Sequence, residues 1–153
     1  MIRRAALITL AVAVAGGLMA ASAGGATAAV PRTACARSAV VEIKAFTFRP
    51  ASVRPAGSST ATLAAVNCTG RVQRASEVWF GRFARSGGGI PRGCAVLDPL
   101  PLPVRFPPHG TVSRRVTYLV PPSCTASRLI VTVDIDGQNG KVLAKGTAIL
   151  RVI

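Results

Sequence analysis

Residues 58–83 read SSTATLAAVNCTGRVQRASEVWFGRF, and this stretch decides the fold. Two runs, 60–66 and 73–83, flank an Asn-Cys-Thr-Gly corner at 67–70. The second run carries Trp79, the only tryptophan, with Phe80 and Phe83 beside it. β-branched and aromatic residues set between turn formers are what a pleated, half-buried surface selects. The two runs are expected to pair as a central hairpin, with Trp79, Phe80 and Phe83 in the core and the other strands laid against it.

Outward from that stretch the same pattern repeats. Residues 38–48 alternate, with Glu42 and Lys44 outward, and Arg49-Pro50 ends the run because proline removes a ladder donor. Pro55-Ala56-Gly57-Ser58 is a turn. After Phe83 the chain becomes irregular: Ser86-Gly87-Gly88-Gly89 is flexible and Ile90-Pro91-Arg92-Gly93-Cys94 ties it down again. Asp98-Pro99-Leu100-Pro101-Leu102-Pro103 reads as extended chain. An edge segment crossing between sheets is favoured there over a proline-rich ligand, because Leu100, Leu102, Val104 and Phe106 supply an apolar side. Pro107-Pro108-His109-Gly110 is another turn. In 112–120, Val112, Val116, Tyr118 and Val120 share one face, while Ser113, Arg115 and Thr117 share the other. Residues 128–136 form the cleanest strand, with Leu129, Val131, Val133 and Ile135 inward. Gly137-Gln138-Asn139-Gly140 turns into a last strand, 142–153, on which Lys145, Thr147 and Arg151 share a face. Six or seven strands with no amphipathic helix predict an all-β protein, an immunoglobulin-like antiparallel β-sandwich.

Residues 1–29 read as an export signal, with Arg3 and Arg4 before an apolar run and Ala26-Thr27-Ala28 as a small-x-small cleavage site. The apolar run is short for a membrane span, so the mature chain, 30–153, is expected to be a single secreted domain and a monomer, with no transmembrane segment. That length is enough for one core. Charge is the most unusual bulk feature: 19 Lys+Arg stand against 5 Asp+Glu, and without Arg3 and Arg4 the mature chain keeps 17 against 5, a net +12. Such a field favours anionic partners, envelope polymers above all. Because the arginines are scattered rather than clustered, solvated surface arginines are the plainer reading. Specific nucleic-acid binding is disfavoured, since aromatic residues next to Trp79 are needed for a core rather than for stacking bases.

Four cysteines, Cys35, Cys68, Cys94 and Cys124, follow the signal. An even count in a small exported domain reads as two disulfides with three possible connectivities, and the wide spacings disfavour zinc. The Pro55-Ala56-Gly57 turn before a strand ending in Asn67-Cys68-Thr69, the Thr-bearing strand near 111–117, the Pro121-Pro122 break and the final hairpin resemble small Ig-like adhesion-type modules of secreted bacterial proteins. The chain is also similar to an uncharacterised family of small exported actinobacterial proteins. The strand order of such a sandwich implies Cys35–Cys68 and Cys94–Cys124. The alternative is Cys68–Cys124 around Trp79, in the manner of an antibody domain's inter-sheet bridge. Each bridge is worth roughly 3–4 kcal/mol in the chain-entropy model.

Chemistry is sparse. The only histidine, His109, lies in a turn, and of the five acids only Asp134 and Asp136 are close in sequence. Asp-x-Asp-Gly-x-Asn at 134–139 has no closing glutamate and is a poor calcium loop. Glu77 is the acid expected to be partly buried, paired with Arg74 or Arg115. Asn67-Cys68-Thr69 satisfies a glycosylation sequon and is read as a turn. The chain is therefore expected to be a non-enzyme, with no catalytic residue, metal or cofactor. Two binding functions remain. One is a secreted interaction module holding a protein or an anionic envelope polymer by its loops or its arginine-bearing sheet face. The other is a protease inhibitor presenting Arg92 from the loop Ile90, Pro91, Arg92, Gly93, although a merely structural loop is favoured over it. A small-molecule carrier, like the antibiotic-binding apoproteins built on a similar sandwich, is a third possibility.

Overall fold

The computed structural model describes residues 35–36 and 38–153, so the expected export signal lies outside the described residues. Eight strands form in order: β1 (Val41–Arg49), β2 (Ser52–Val53), β3 (Ser58–Asn67), β4 (Gln73–Ala84), β5 (Leu100–Phe106), β6 (Thr111–Leu119), β7 (Arg128–Gly137) and β8 (Val142–Val152). They build a three-stranded sheet, β1-β3-β6, and a five-stranded sheet, β2-β8-β7-β4-β5. All pairings are antiparallel except β2 with the end of β8. The fold is an immunoglobulin-like β-sandwich.

The expected central hairpin is not formed. β3 pairs with β1 and β6, whereas β4 pairs with β5 and β7 in the other sheet. The corner between them is an arch that crosses the sandwich, and its hub is the fully buried Asn67. The Asn67 Nδ2 group donates to the carbonyls of Arg71 (2.6 Å) and Pro107 (2.9 Å). Its Oδ1 accepts from the Thr69 amide (2.9 Å) and hydroxyl (2.8 Å). This network holds 67–71 wider than a two-residue hairpin turn and docks it on the turn that carries His109, whose amide donates to the Thr69 carbonyl (3.0 Å). Alternation reports which side chains face inward; it is silent on which sheet they face inward from.

The core lies between the sheets and is built from period-2 positions: Ala61, Leu63 and Ala65 of β3, Trp79 of β4, Phe106 of β5, Leu129, Val131, Val133 and Ile135 of β7, and Leu150 of β8. Phe46 meets Trp79 edge-on with ring centroids 5.4 Å apart, and Phe48 meets Tyr118 at 5.8 Å. Burial pushes the Tyr118 phenol up to about 12. Phe83 is half-buried, but Phe80 is 40% exposed, a correction to its expected core place. Neighbours on a strand face opposite sides, so Trp79 inward puts Phe80 outward.

Both disulfides have the pairing expected from the resemblance, Cys35–Cys68 and Cys94–Cys124. They are the cross-links of an oxidising compartment. No helix among the described residues is long and apolar enough to cross a membrane.

Glu77 is fully buried rather than partly, and its partner is neither Arg74 nor Arg115 but Arg114. The Arg114 Nε donates to Glu77 Oε2 at 2.9 Å, and its Nη2 donates to the Pro103 carbonyl at 3.0 Å. Arg114 belongs to the inward parity of β6, with Val112 and Val116, so its head reaches across to β4 and β5 and bolts the two sheets together at their edge. The sequence pattern shows an arginine interrupting an apolar face, and a buried carboxylate opposite is what makes that tolerable.

Candidate anion-binding site

The five-stranded sheet presents its outer face to solvent. Register fixes what stands there in rows. Ala84, Arg128 and Arg151 lie side by side on β4, β7 and β8. Arg82, Ile130 and Ile149 form the next row, and Phe80, Thr132 and Thr147 the one after it. Arg128 and Arg151 are therefore direct cross-strand neighbours, both exposed, with Arg82 one row away. Among the described residues none of the three has an acidic partner. Two like charges placed directly opposite on a sheet cost stability, roughly 0.2–1 kcal/mol, unless an anion lies between them.

The ground beside them is shaped. Arg128, Arg151 and Ile149 line a shallow depression of about 650 Å³ that Ser86 and Ser127 also line. The Ser127 hydroxyl accepts from the Ser86 amide (2.8 Å) and lies 2.9 Å from the Ser86 hydroxyl. Two guanidinium forks, two hydroxyls and an exposed isoleucine thus surround one space. Guanidinium forks match phosphate and carboxylate oxygens bidentately, and hydroxyls add further donors. The exposed Phe80 (40%) and Ile149 (53%) add apolar surface suited to the carbon backbone of a bound chain.

A second arginine pair stands at the other end of the same face, where Arg74 of β4 is opposite Arg105 of β5. Eight residues of strand separate Arg74 from Arg82, roughly 26 Å at about 3.3 Å per residue. Between the ends, Asp134 is neutralised by Lys145, with Nζ 3.1 Å from Oδ1. Asp134 and Asp136 lie on β7, whose pairing with β8 shifts register between Ile135 and Asp136, and Asn139 turns its Oδ1 to accept from the Lys141 amide (3.2 Å). On the opposite sheet, the Lys44 ammonium, and after it the Ala36 amide, hold the Glu42 carboxyl below the usual carboxylate range.

The loop Ile90, Pro91, Arg92, Gly93 is exposed at Ile90 (90%) and at the Arg92 side chain. Its main chain is not free. The Arg92 amide donates to the Thr125 hydroxyl (2.9 Å) and its carbonyl accepts from the Thr125 amide (2.9 Å), next to the Cys94–Cys124 bridge. Gly93, at φ 67°, lies so close to Ser123 that a Cβ would run into the Ser123 carbonyl.

Sequence reading found the arginines but not their grouping. Lys145, Thr147 and Arg151 were legible as one face, yet Arg128 and Arg151 are 23 positions apart and become neighbours only through the β7–β8 register. Ser86 and Ser127 carry no local signal; their meeting depends on the loop after β4.

No family model matches the chain, and no curated protein is similar to it in sequence. Solved structures resemble it in fold. An alkylpurine DNA glycosylase, AlkC, from Pseudomonas fluorescens, bound to DNA containing an abasic site analog, superposes with a TM-score of 0.54 at 15% identity, over 75% of this chain and 31% of that one. A cycloisomaltooligosaccharide glucanotransferase from Paenibacillus sp. gives 0.52 at 14% identity, over 72% and 14% of the two chains. The sporulation control protein Spo0M from Bacillus subtilis gives 0.51 at 13%, over 74% and 49%. This chain thus spans between a seventh and a half of those proteins. At such identities the likeness is one of fold.

Proposed function

We propose that this protein is an exported, non-catalytic binding module that holds a phosphate-bearing polymer of the cell envelope on the outer face of its five-stranded sheet. One observation carries the reading: Arg128 and Arg151 are direct cross-strand neighbours with no acidic partner among the described residues, lining a depression that Ser86 and Ser127 also line. A repulsive pair of this kind is relieved by an anion, and arginine rather than lysine at each position suits phosphate. The second pair, Arg74 and Arg105, lies along the same face, as a repeating polyanion would need. The net charge of +12 left after the signal raises the local concentration of any such partner. Export is supported by the N-terminal sequence and by two disulfides.

A non-catalytic role is supported by where the acids go. Glu77 is committed to Arg114 and Asp134 to Lys145. The protease-inhibitor reading is weaker because the Arg92 amide and carbonyl, which an inhibitor's primary residue offers to the protease, are held by Thr125. The test is salt-dependent binding of the oxidised mature protein to a glycerol-phosphate wall polymer, to anionic vesicles and to duplex DNA. Binding to the wall polymer that falls steeply with salt is expected. Equal or stronger binding to vesicles or DNA would reassign the partner, and no binding at low salt would reduce the arginines to solvation.

A further inference from the structure

Trp79 points inward, so the residues of opposite parity on β4, from Arg74 through Ser76, Val78 and Phe80 to Arg82, follow one another along the outer face of the five-stranded sheet. Register adds the neighbours of each row. Arg74 stands opposite Arg105, and both are exposed. Ser76 stands beside Asp136, and Val78 beside Asp134, whose carboxylate Lys145 neutralises at 3.1 Å. Phe80 shares its row with Thr132 and Thr147, and beyond it come Arg82, Arg128 and Arg151. The positive charge of this face is therefore gathered at its two ends. The rows between hold Asp134, Asp136 and Lys145, so the middle carries no net positive charge.

The Arg74 end has a space of its own. Arg74 lines a depression of about 400 Å³ together with Gln73, Gln138, Asn139 and Lys141. Asn139 uses its Oδ1 to accept from the Lys141 amide at 3.2 Å, and its Nδ2 has no acceptor among the described residues. Arg74, Arg105 and Lys141 have no acidic partner among the described residues. A guanidinium, an ammonium and carboxamide donors around one space suit the oxygens of a phosphate.

Ten residues of β4 separate the Arg74 row from the Ala84 row that holds Arg128 and Arg151, roughly 33 Å at about 3.3 Å per residue. Sideways the two pairs are two strands apart, roughly 10 Å, which makes roughly 35 Å from one pair to the other. A glycerol-phosphate repeat advances by six backbone bonds, about 7 Å when extended, as two peptide residues do. We infer that this face is a two-ended site, on which one flexible polyanion of at least about five repeats seats phosphates on Arg74/Arg105 and on Arg128/Arg151 together. The inference rests on the reading of this face as a phosphate-polymer site and adds a minimum length to it. Once one end is seated, the second attachment is intramolecular and raises affinity by about 10²–10⁴. A duplex with one charge per roughly 1.7 Å would lay phosphates over Asp136, whereas a sparsely charged flexible chain crosses the middle without doing so.

The test compares a glycerol-phosphate oligomer of two repeats with one of eight, each titrated at fixed salt into the oxidised mature protein. The long oligomer should bind about a hundredfold tighter or more, against about fourfold from the number of phosphates alone. Arg74→Gln/Arg105→Gln and Arg128→Gln/Arg151→Gln should each bring the long oligomer down close to the short one, while Arg115→Gln keeps the native rise. A rise of only about fourfold, or a full rise that survives Arg74→Gln/Arg105→Gln, would overturn the two-ended site and leave polymer binding at Arg128 and Arg151 standing. No binding at either length by the native protein would overturn the polymer reading and the two-ended site with it.

Discussion

Replacing Arg114 by methionine isolates the contact that joins the two sheets. In the native protein the Glu77 carboxylate is 1% exposed and is held by the Arg114 Nε at 2.9 Å, while the arginine side chain is 32% exposed. Removing one partner of a buried ion pair costs about 3–5 kcal/mol, because the remaining charge stays buried alone. Water reaches the arginine side of this pair but not the glutamate side, so we place the cost at the lower end, about 3 kcal/mol. An unfolding entropy of about 2.1 cal/mol/K per residue over roughly 120 residues converts this to a fall in Tm of about 12 °C. The double variant Glu77→Met/Arg114→Met removes both charges and should recover most of the loss, since a well-packed apolar pair in such a place is commonly neutral or better. Urea unfolding followed by Trp79 fluorescence, for the native protein, both single variants and the double, closes the cycle. A cost below about 1 kcal/mol for Arg114→Met, as for a surface pair, would refute the inter-sheet bolt. So would a double variant no more stable than the single ones predict by addition.

Three further outcomes follow from particular contacts. Tyr118, the only tyrosine, has a folded-state pKa raised from 10.0 to about 12, so its neutral form is favoured by folding. That stability is complete below pH 10 and is lost as pH rises through about 12; the tyrosinate absorbance should therefore appear about two pH units late, and Tyr118→Phe should flatten the alkaline loss. Gly93→Ala forces a Cβ onto the Ser123 carbonyl at a positive φ and should cost roughly 1–3 kcal/mol, read as faster tryptic cleavage after Arg92 than in the native protein. Unchanged cleavage would show the loop was never held. Asn67→Ala abolishes four hydrogen bonds in the arch and should cost about 3 kcal/mol in urea unfolding, whereas a loss under about 1 kcal/mol would remove Asn67 as the hub.

The strands and their inward faces were legible because period-2 burial is written locally: Leu129, Val131, Val133 and Ile135 alternate in the sequence as they do in the core. The arch at Asn67 was not, because a corner that returns within one sheet and one that crosses to the other use the same residues. What separates them is the Pro107 carbonyl, 40 positions away. The same limit applies to the site. A strand shows which of its arginines face out, but the meeting of Arg128 with Arg151, and of Glu77 with Arg114, is set by register and by sheet packing. Phe80 illustrates the reverse case, for the alternation that buries Trp79 already turns Phe80 outward.

The most direct measurement is the dependence of binding to a glycerol-phosphate polymer on salt concentration, compared between the native protein, Arg128→Gln/Arg151→Gln and Arg115→Gln, a single arginine on the other sheet. If the outer face of the five-stranded sheet holds the polymer, the first variant loses affinity and its log–log salt slope falls by about 2, one unit for each phosphate contact removed. The Arg115 variant should stay close to the native slope. Equal slopes for all three proteins would contradict a defined site and leave only diffuse attraction by net charge.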